Sequence, residues 1–153
     1  MEFGSIEREI HIEASPEVVF EVVSSPEHVR RWWPDEAHYE PVPGASGEIV
    51  FGAREPHPTA VRFTVLEVRP PRTFSFRWTH PAGEEAAAGN SLVVTFDLTP
   101  SRGGTLLRMT ETGFRELGWD IALLEQQYRE HVTGWDFYLP RLVSYAAGLG
   151  VRP

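Results

Sequence analysis

DIALLEQQYREHVTGWDFYLPRLVSYAAGLG, residues 120–150, is the stretch whose reading decides the fold. Its apolar residues Ile121, Leu124, Tyr128, Val132, Trp135, Leu139, Leu142, Ala146 and Leu149 recur at steps of three and four. That period predicts an amphipathic helix of about 25 to 30 residues, about 40 Å long. Pro140 lies inside it and predicts a bend, because its ring clashes with the carbonyl of Asp136. Gly134 predicts a close approach to whatever lies beneath.

Upstream of this helix the period is two. Residues 6–13 alternate, with Ile6, Ile10 and Ile12 on one face, and read as a strand. Ser15-Pro16-Glu17 and Ser25-Pro26-Glu27 are helix starts, each with Ser at the N-cap and Pro at the first helical position. They predict two short helices, the second reaching Trp32-Trp33 and stopped by Pro34. Strands follow at 48–52, 59–68, 72–79, 91–99 and 105–112, with a loop at 81–90 and a hairpin loop at 100–104. Phe74, Phe76 and Trp78 share a face, as do Leu92, Val94, Phe96 and Leu98. Antiparallel strands with one apolar face need a cover on that face. The long helix is the only element large enough. The expected fold is α+β: a curved antiparallel sheet wrapped around a C-terminal helix, with a cavity between them, as a single domain over residues 1–153.

Several stretches strengthen this reading. They are residues 10–20 (IHIEASPEVVF), Arg31-Trp32-Trp33-Pro34, residues 66–72 (LEVRPPR) with Phe76-Arg77-Trp78, residues 104–114, and residues 131–139 (HVTGWDFYL). In this order the chain resembles the helix-grip proteins of the START/Bet v 1-like superfamily. Within it, the chain looks like the bacterial branch related to the activator of Hsp90 ATPase. The resemblance covers about residues 6–147. It implies one of three activities: a carrier of small hydrophobic molecules, a polyketide aromatase/cyclase, or a cochaperone-like interaction module. Pro140 departs from the uninterrupted helix of that group.

Composition narrows the chemistry. There is no Cys and no Lys; all 14 bases are Arg. This removes disulfides, thiol nucleophiles, Schiff bases and a P-loop lysine. A net charge of -8 disfavours nucleic acid and anionic membranes as partners. No apolar run is long enough for a membrane span, and residues 1–5 lack the features of a signal peptide, so the expected location is the cytoplasm. The six His, at 11, 28, 38, 57, 80 and 131, are never closer than ten residues. That spacing offers no local metal site, and no nucleophile elbow, dinucleotide fingerprint or paired-His zinc motif is present. No metal and no cofactor are expected. His80 should mark a strand's exit into solvent, and Arg62, Arg77 and Arg108 should be solvated.

What remains is a set of aromatic and polar residues that either pack the core or line a pocket: Trp32, Trp33, Phe51, Phe63, Phe76, Trp78, Phe96, Met109, Trp119, Tyr128 and Trp135. His131 lies at the border of the helix's apolar stripe, as a satisfied border residue or as a polar anchor. Glu111 is the sharpest case. If Leu107 and Met109 face the helix, the two-residue period carries Glu111 inward as well. A buried carboxylate needs donors, and His131, the indole N–H groups of Trp78 and Trp135, or a ligand hydroxyl are the candidates. The opposing reading leaves Glu111 at a strand end that reaches water.

The expected function is binding of a small hydrophobic, aromatic or lipid-like molecule in the cavity, by a monomer or a homodimer, without obligatory catalysis. In an enzyme of the cyclase type, Glu111 and His131 would move protons. A large closed cavity favours the carrier; a filled interior with a flat exposed apolar patch favours the interaction module.

Overall fold

Ser15, three residues beyond the first strand, starts the first helix. Its Oγ accepts from the Val18 N–H at 3.2 Å, and Pro16 fills the first helical position, where no N–H is needed. The same device recurs ten residues on at Ser25-Pro26, here without a side-chain cap bond. The computed structural model describes residues 3–79 and 86–150. Its elements are β1 (Ser5–Ile12), α1 (Pro16–Ser24), α2 (Pro26–Trp32), β2 (Glu36–His38), β3 (Ser46–Phe51), β4 (Thr59–Arg69), β5 (Thr73–Trp78), β6 (Leu92–Ser101), β7 (Gly104–Thr112) and α3 (Ile121–Gly150). His80 and residues 81–85 of the expected 81–90 loop lie outside the described residues.

The seven strands form one antiparallel sheet in the order β1-β7-β6-β5-β4-β3-β2. Only β1 breaks the meander: α1 and α2 carry the chain from its edge to the opposite edge at β2. The sheet curves around α3, the helix-grip arrangement. α3 opens on Asp120, whose carboxylate accepts from the Leu123 N–H at 2.9 Å. It continues as one helix through Pro140.

The core lies where the sheet's apolar face meets α1, α2 and α3. Cross-strand pairs stack its side chains: Phe74 opposite Phe96, Phe76 opposite Val94, Phe96 opposite Met109. Trp32, Phe63, Phe74, Phe76, Phe96, Leu107 and Met109 are buried to within 1%. Side chains around an open cavity would keep surface on it, so this part of the expected cavity is filled. The correction has a physical reason: aromatic rings at Trp32, Phe63, Phe76 and Phe96 touch one another in turn and occupy the enclosed volume. Among the openings that remain is a cleft at one end, described below.

Four smaller expectations change. Ile121 belongs to the stripe by spacing, but it is the first residue of α3, beyond the sheet, and 68% exposed. The 100–104 loop shrinks to a two-residue turn, because Arg102 and Gly103 take positive φ (51° and 80°) and let pairing run to Ser101 and Gly104. Arg77 is half-buried and donates to Ser91 Oγ at 3.2 Å. Gly134 makes no close approach: a Cβ there would meet nothing within 4 Å. Arg62 is exposed as expected, and exposed Arg108 pairs with Glu7. Among the described residues no helix is long and apolar enough to cross a membrane.

Candidate functional site

Strand parity places Glu111 on the inner face of β7, after Leu107 and Met109, and all three are fully buried. Its carboxylate collects three partners from two other elements. Oε2 accepts from Trp78 Nε1 on β5 at 2.7 Å. Oε1 accepts from Trp135 Nε1 at 2.8 Å and meets His131 Nδ1 at 2.9 Å, both on α3. His131 and Trp135 stand four residues apart, on one helix face. Trp78 reaches the carboxylate across β6, since Glu111 sits opposite Val94 and Val94 opposite Phe76, two residues from Trp78. Glu111 thus meets the three protein groups named from the sequence as candidate donors, and the solvent-facing alternative does not hold.

Indole nitrogens can only donate. The carboxylate therefore serves both Trp78 and Trp135 as an acceptor, and in a neutral His131 the Nδ1–H donates to it as well. That fixes the tautomer and leaves Nε2 with its lone pair. The imidazole is clamped between Phe114, edge-on at 5.4 Å, and Trp78 at 5.3 Å. Its side chain keeps 12% of its surface exposed.

That surface borders a cleft of about 320 Å³ between α3 and the β3–β5 part of the sheet. Trp33, Phe51, Trp78, Trp135 and Tyr138 form its aromatic walls, and Thr59, Glu130, His131 and Gly134 complete its border. Trp33 stands at the end of α2, where the chain turns before Pro34. It contacts Phe51, Trp78 and Trp135 with ring centroids 4.9–5.9 Å apart. The bare backbone of Gly134 keeps that stretch of the border open.

Of the aromatic, Met and polar candidates, the structure brings Trp33, Phe51, Trp78, His131 and Trp135 to the cleft, with Glu111 directly behind. Trp32, Phe63, Phe76, Phe96 and Met109 are on the same inner face but deeper, in the filled core. Trp32 spends its indole N–H on the Val22 carbonyl at 2.9 Å. Trp119 borders a different hollow, of about 400 Å³, with Leu117, Leu123 and Gln127. Tyr128 packs on Phe3 and Phe114 and donates its hydroxyl to the Ser5 carbonyl at 2.7 Å. Sequence reasoning missed Tyr138, Gly134, Thr59 and Glu130. Tyr138 was open to discovery, lying three residues beyond Trp135, one helical turn on. Among the described residues no three His, Asp or Glu side chains gather as a metal site requires.

Comparison with known proteins identifies relatives of the chain. The model of the family described as activator of Hsp90 ATPase homolog 1-like protein matches residues 13–147. No curated protein matches the chain. Among solved structures, a protein from Mesorhizobium loti is 25% identical, with a TM-score of 0.74 over 92% of this chain and 95% of that one. The Aha1 dimer from Colwellia psychrerythraea is 17% identical, with a TM-score of 0.65 over 96% of each chain. DynU16, a protein of the dynemicin biosynthetic locus, is 22% identical, with a TM-score of 0.66 over 93% of this chain and 46% of that one.

Proposed function

The chain belongs to the activator of Hsp90 ATPase homolog 1-like family, and we propose that it binds a small aromatic molecule in the cleft at the end of α3. The observation that carries this is the cleft itself: an opening of about 320 Å³ walled by aromatic rings, with one buried polar cluster behind it. This is the composition of small-molecule sites, mostly apolar with few fixed polar groups. The volume suits one or two fused rings rather than a long lipid chain. Trp33, Trp78 and Trp135 all border the opening, so a bound aromatic molecule should quench tryptophan fluorescence. Native mass spectrometry of freshly purified protein is the companion measurement. Full-length protein that shows neither a retained small molecule nor quenching by any one- or two-ring aromatic compound sinks this reading.

One observation favours a second reading. An imidazole held by a carboxylate on the border of a cleft is the arrangement of a general base. Under a cyclase-type reading, His131 takes a proton from a bound poly-ketone and Glu111 orients it. The location of DynU16 in a biosynthetic locus is in keeping with that class. Turnover of a poly-ketone that survives His131→Gln would remove His131 from it.

The interaction-module reading draws less support. Among the described residues, the large exposed apolar side chains are Val42, Ile121, Leu123 and Phe137. Val42 is in a loop, and Phe137 stands about 24 Å along α3 from Ile121 at about 1.5 Å per residue. They do not form one patch. A dimeric state, as in the Colwellia relative, is a proposal for sedimentation analysis.

A further inference from the structure

Two residues that line the cleft each carry a polar atom with no hydrogen-bond partner among the described residues: His131 its Nε2, and Trp33, only 6% exposed, its indole N–H. One is a lone pair waiting for a donor and the other a donor waiting for an acceptor. Trp33 is nearly buried and lines the opening, and an N–H left without an acceptor is costly, which points to a ligand that answers it. A hydroxyl is both donor and acceptor. Charge adds a second constraint. Glu130 is the one charged side chain on the cleft border, and Glu111 stands behind His131. No Arg lines the opening. With His131 neutral, an anionic ligand would meet two carboxylates and no cation.

We propose that the cleft recognises a hydroxyl on an aromatic ring, as in a neutral phenol or naphthol. Nε2 of His131 accepts the hydrogen bond from it, and Glu111 is the positioning residue that holds the imidazole in this tautomer. The proposal rests on the reading of the cleft as an aromatic-ligand site. It adds the chemical class: a hydrogen-bond donor, uncharged, rather than a carboxylic acid or an ether.

The experiment titrates full-length protein in mildly alkaline buffer with 1-naphthol, 1-methoxynaphthalene and 1-naphthoate by calorimetry. Naphthol should bind about tenfold more tightly than its methyl ether, the worth of one hydrogen bond. Naphthoate should bind more weakly than either. Long-range proton–nitrogen NMR should find His131 protonated at Nδ1 and bare at Nε2. In Glu111→Gln that tautomer preference should weaken, a change that a merely structural role would not produce. In His131→Phe the naphthol preference should vanish, with ether affinity held within about threefold. Should either variant fail to fold, the wild-type comparison decides alone. Equal affinity for naphthol and ether overturns hydroxyl recognition and leaves the aromatic cleft standing. Binding of none of the three overturns the cleft reading, and the hydroxyl with it. A protonated Nε2, or naphthoate as the tightest ligand, also overturns the proposal.

Discussion

Trp32 and Trp33 are neighbours in sequence, stacked with centroids 5.9 Å apart, yet they belong to different regions. Trp32 is fully buried and satisfied by Val22. It belongs to the closed end of the molecule, where Phe63, Phe74, Phe76 and Phe96 leave no gap. Trp33 belongs to the open end, where Glu111 gathers polar groups beside a cleft. The closed end is held by area and shape, which are non-directional. The open end is held by directed hydrogen bonds, which fix ring orientations. A core that only had to fold would not need the second kind. Three donors on one buried carboxylate keep the walls of an opening from collapsing inward, which apolar contacts alone would favour.

The comparison can be broken by substitution. Trp32→Ala should be the most damaging, costing about 3–5 kcal/mol for the cavity it leaves. The remaining folded fraction should bind aromatic probes with unchanged affinity; a large affinity loss would show the two ends are not separable. Glu111→Leu should cost about 3 kcal/mol, because it leaves Trp78, Trp135 and His131 without an acceptor in a buried place. Chemical denaturation measures both. Glu111→Gln should fall between Glu111→Leu and wild type, about 1–2 kcal/mol. Its amide oxygen can keep two donors, but its NH₂ then faces a third N–H. Near-neutral Glu111→Gln would mean that the cluster is not a restraint at all.

Gly134→Ala tests the open end from outside. Nothing lies within 4 Å of the new methyl, and Ala favours a helix over Gly by about 1 kcal/mol. Thermal stability should rise while affinity for aromatic probes falls. A rise in both would place the ligand elsewhere. Phe137→Ser should be the mildest, within about 0.5 kcal/mol, since Phe137 is exposed. If it abolished a protein–protein interaction in a pull-down, the interaction-module reading would gain what it lacks now.

Much of this was legible in the sequence, for reasons that also explain the rest. The two-residue period located the inner face of β1, β5, β6 and β7 and put Glu111 on the last of these. The 3.6-residue period located α3 and set His131 and Trp135 side by side. But parity says which face a side chain is on, not how far along the sheet it stands. Phe76 and Trp78 share a face and a strand, yet one is deep in the core and the other borders the cleft. That difference depends on where α3 crosses the sheet, a tertiary fact with no local signal. Three-residue β2 was missed because Glu36-Ala37-His38 is too short to show alternation. Its pairing comes from β3, whose Ile49 lies opposite Ala37. Gly134 was misread because spacing cannot tell a glycine that lets backbones approach from one that leaves an opening.

The edge position of β1 has a consequence for synthesis. Ser5 pairs with Thr112 and Ile6 with Glu111, so the first strand to leave the ribosome is among the last to find its partner. Its apolar residues must wait for just over a hundred further residues, roughly 5–20 s at about 5–20 residues per second. Meanwhile β2 to β6 can pair in hairpins as they emerge, each with a neighbour already made. When β7 arrives it brings Glu111 and the seat for β1 together. The carboxylate at the cleft and the seam that closes the sheet are therefore delivered by the same late event, and a nascent chain halted before β7 has neither.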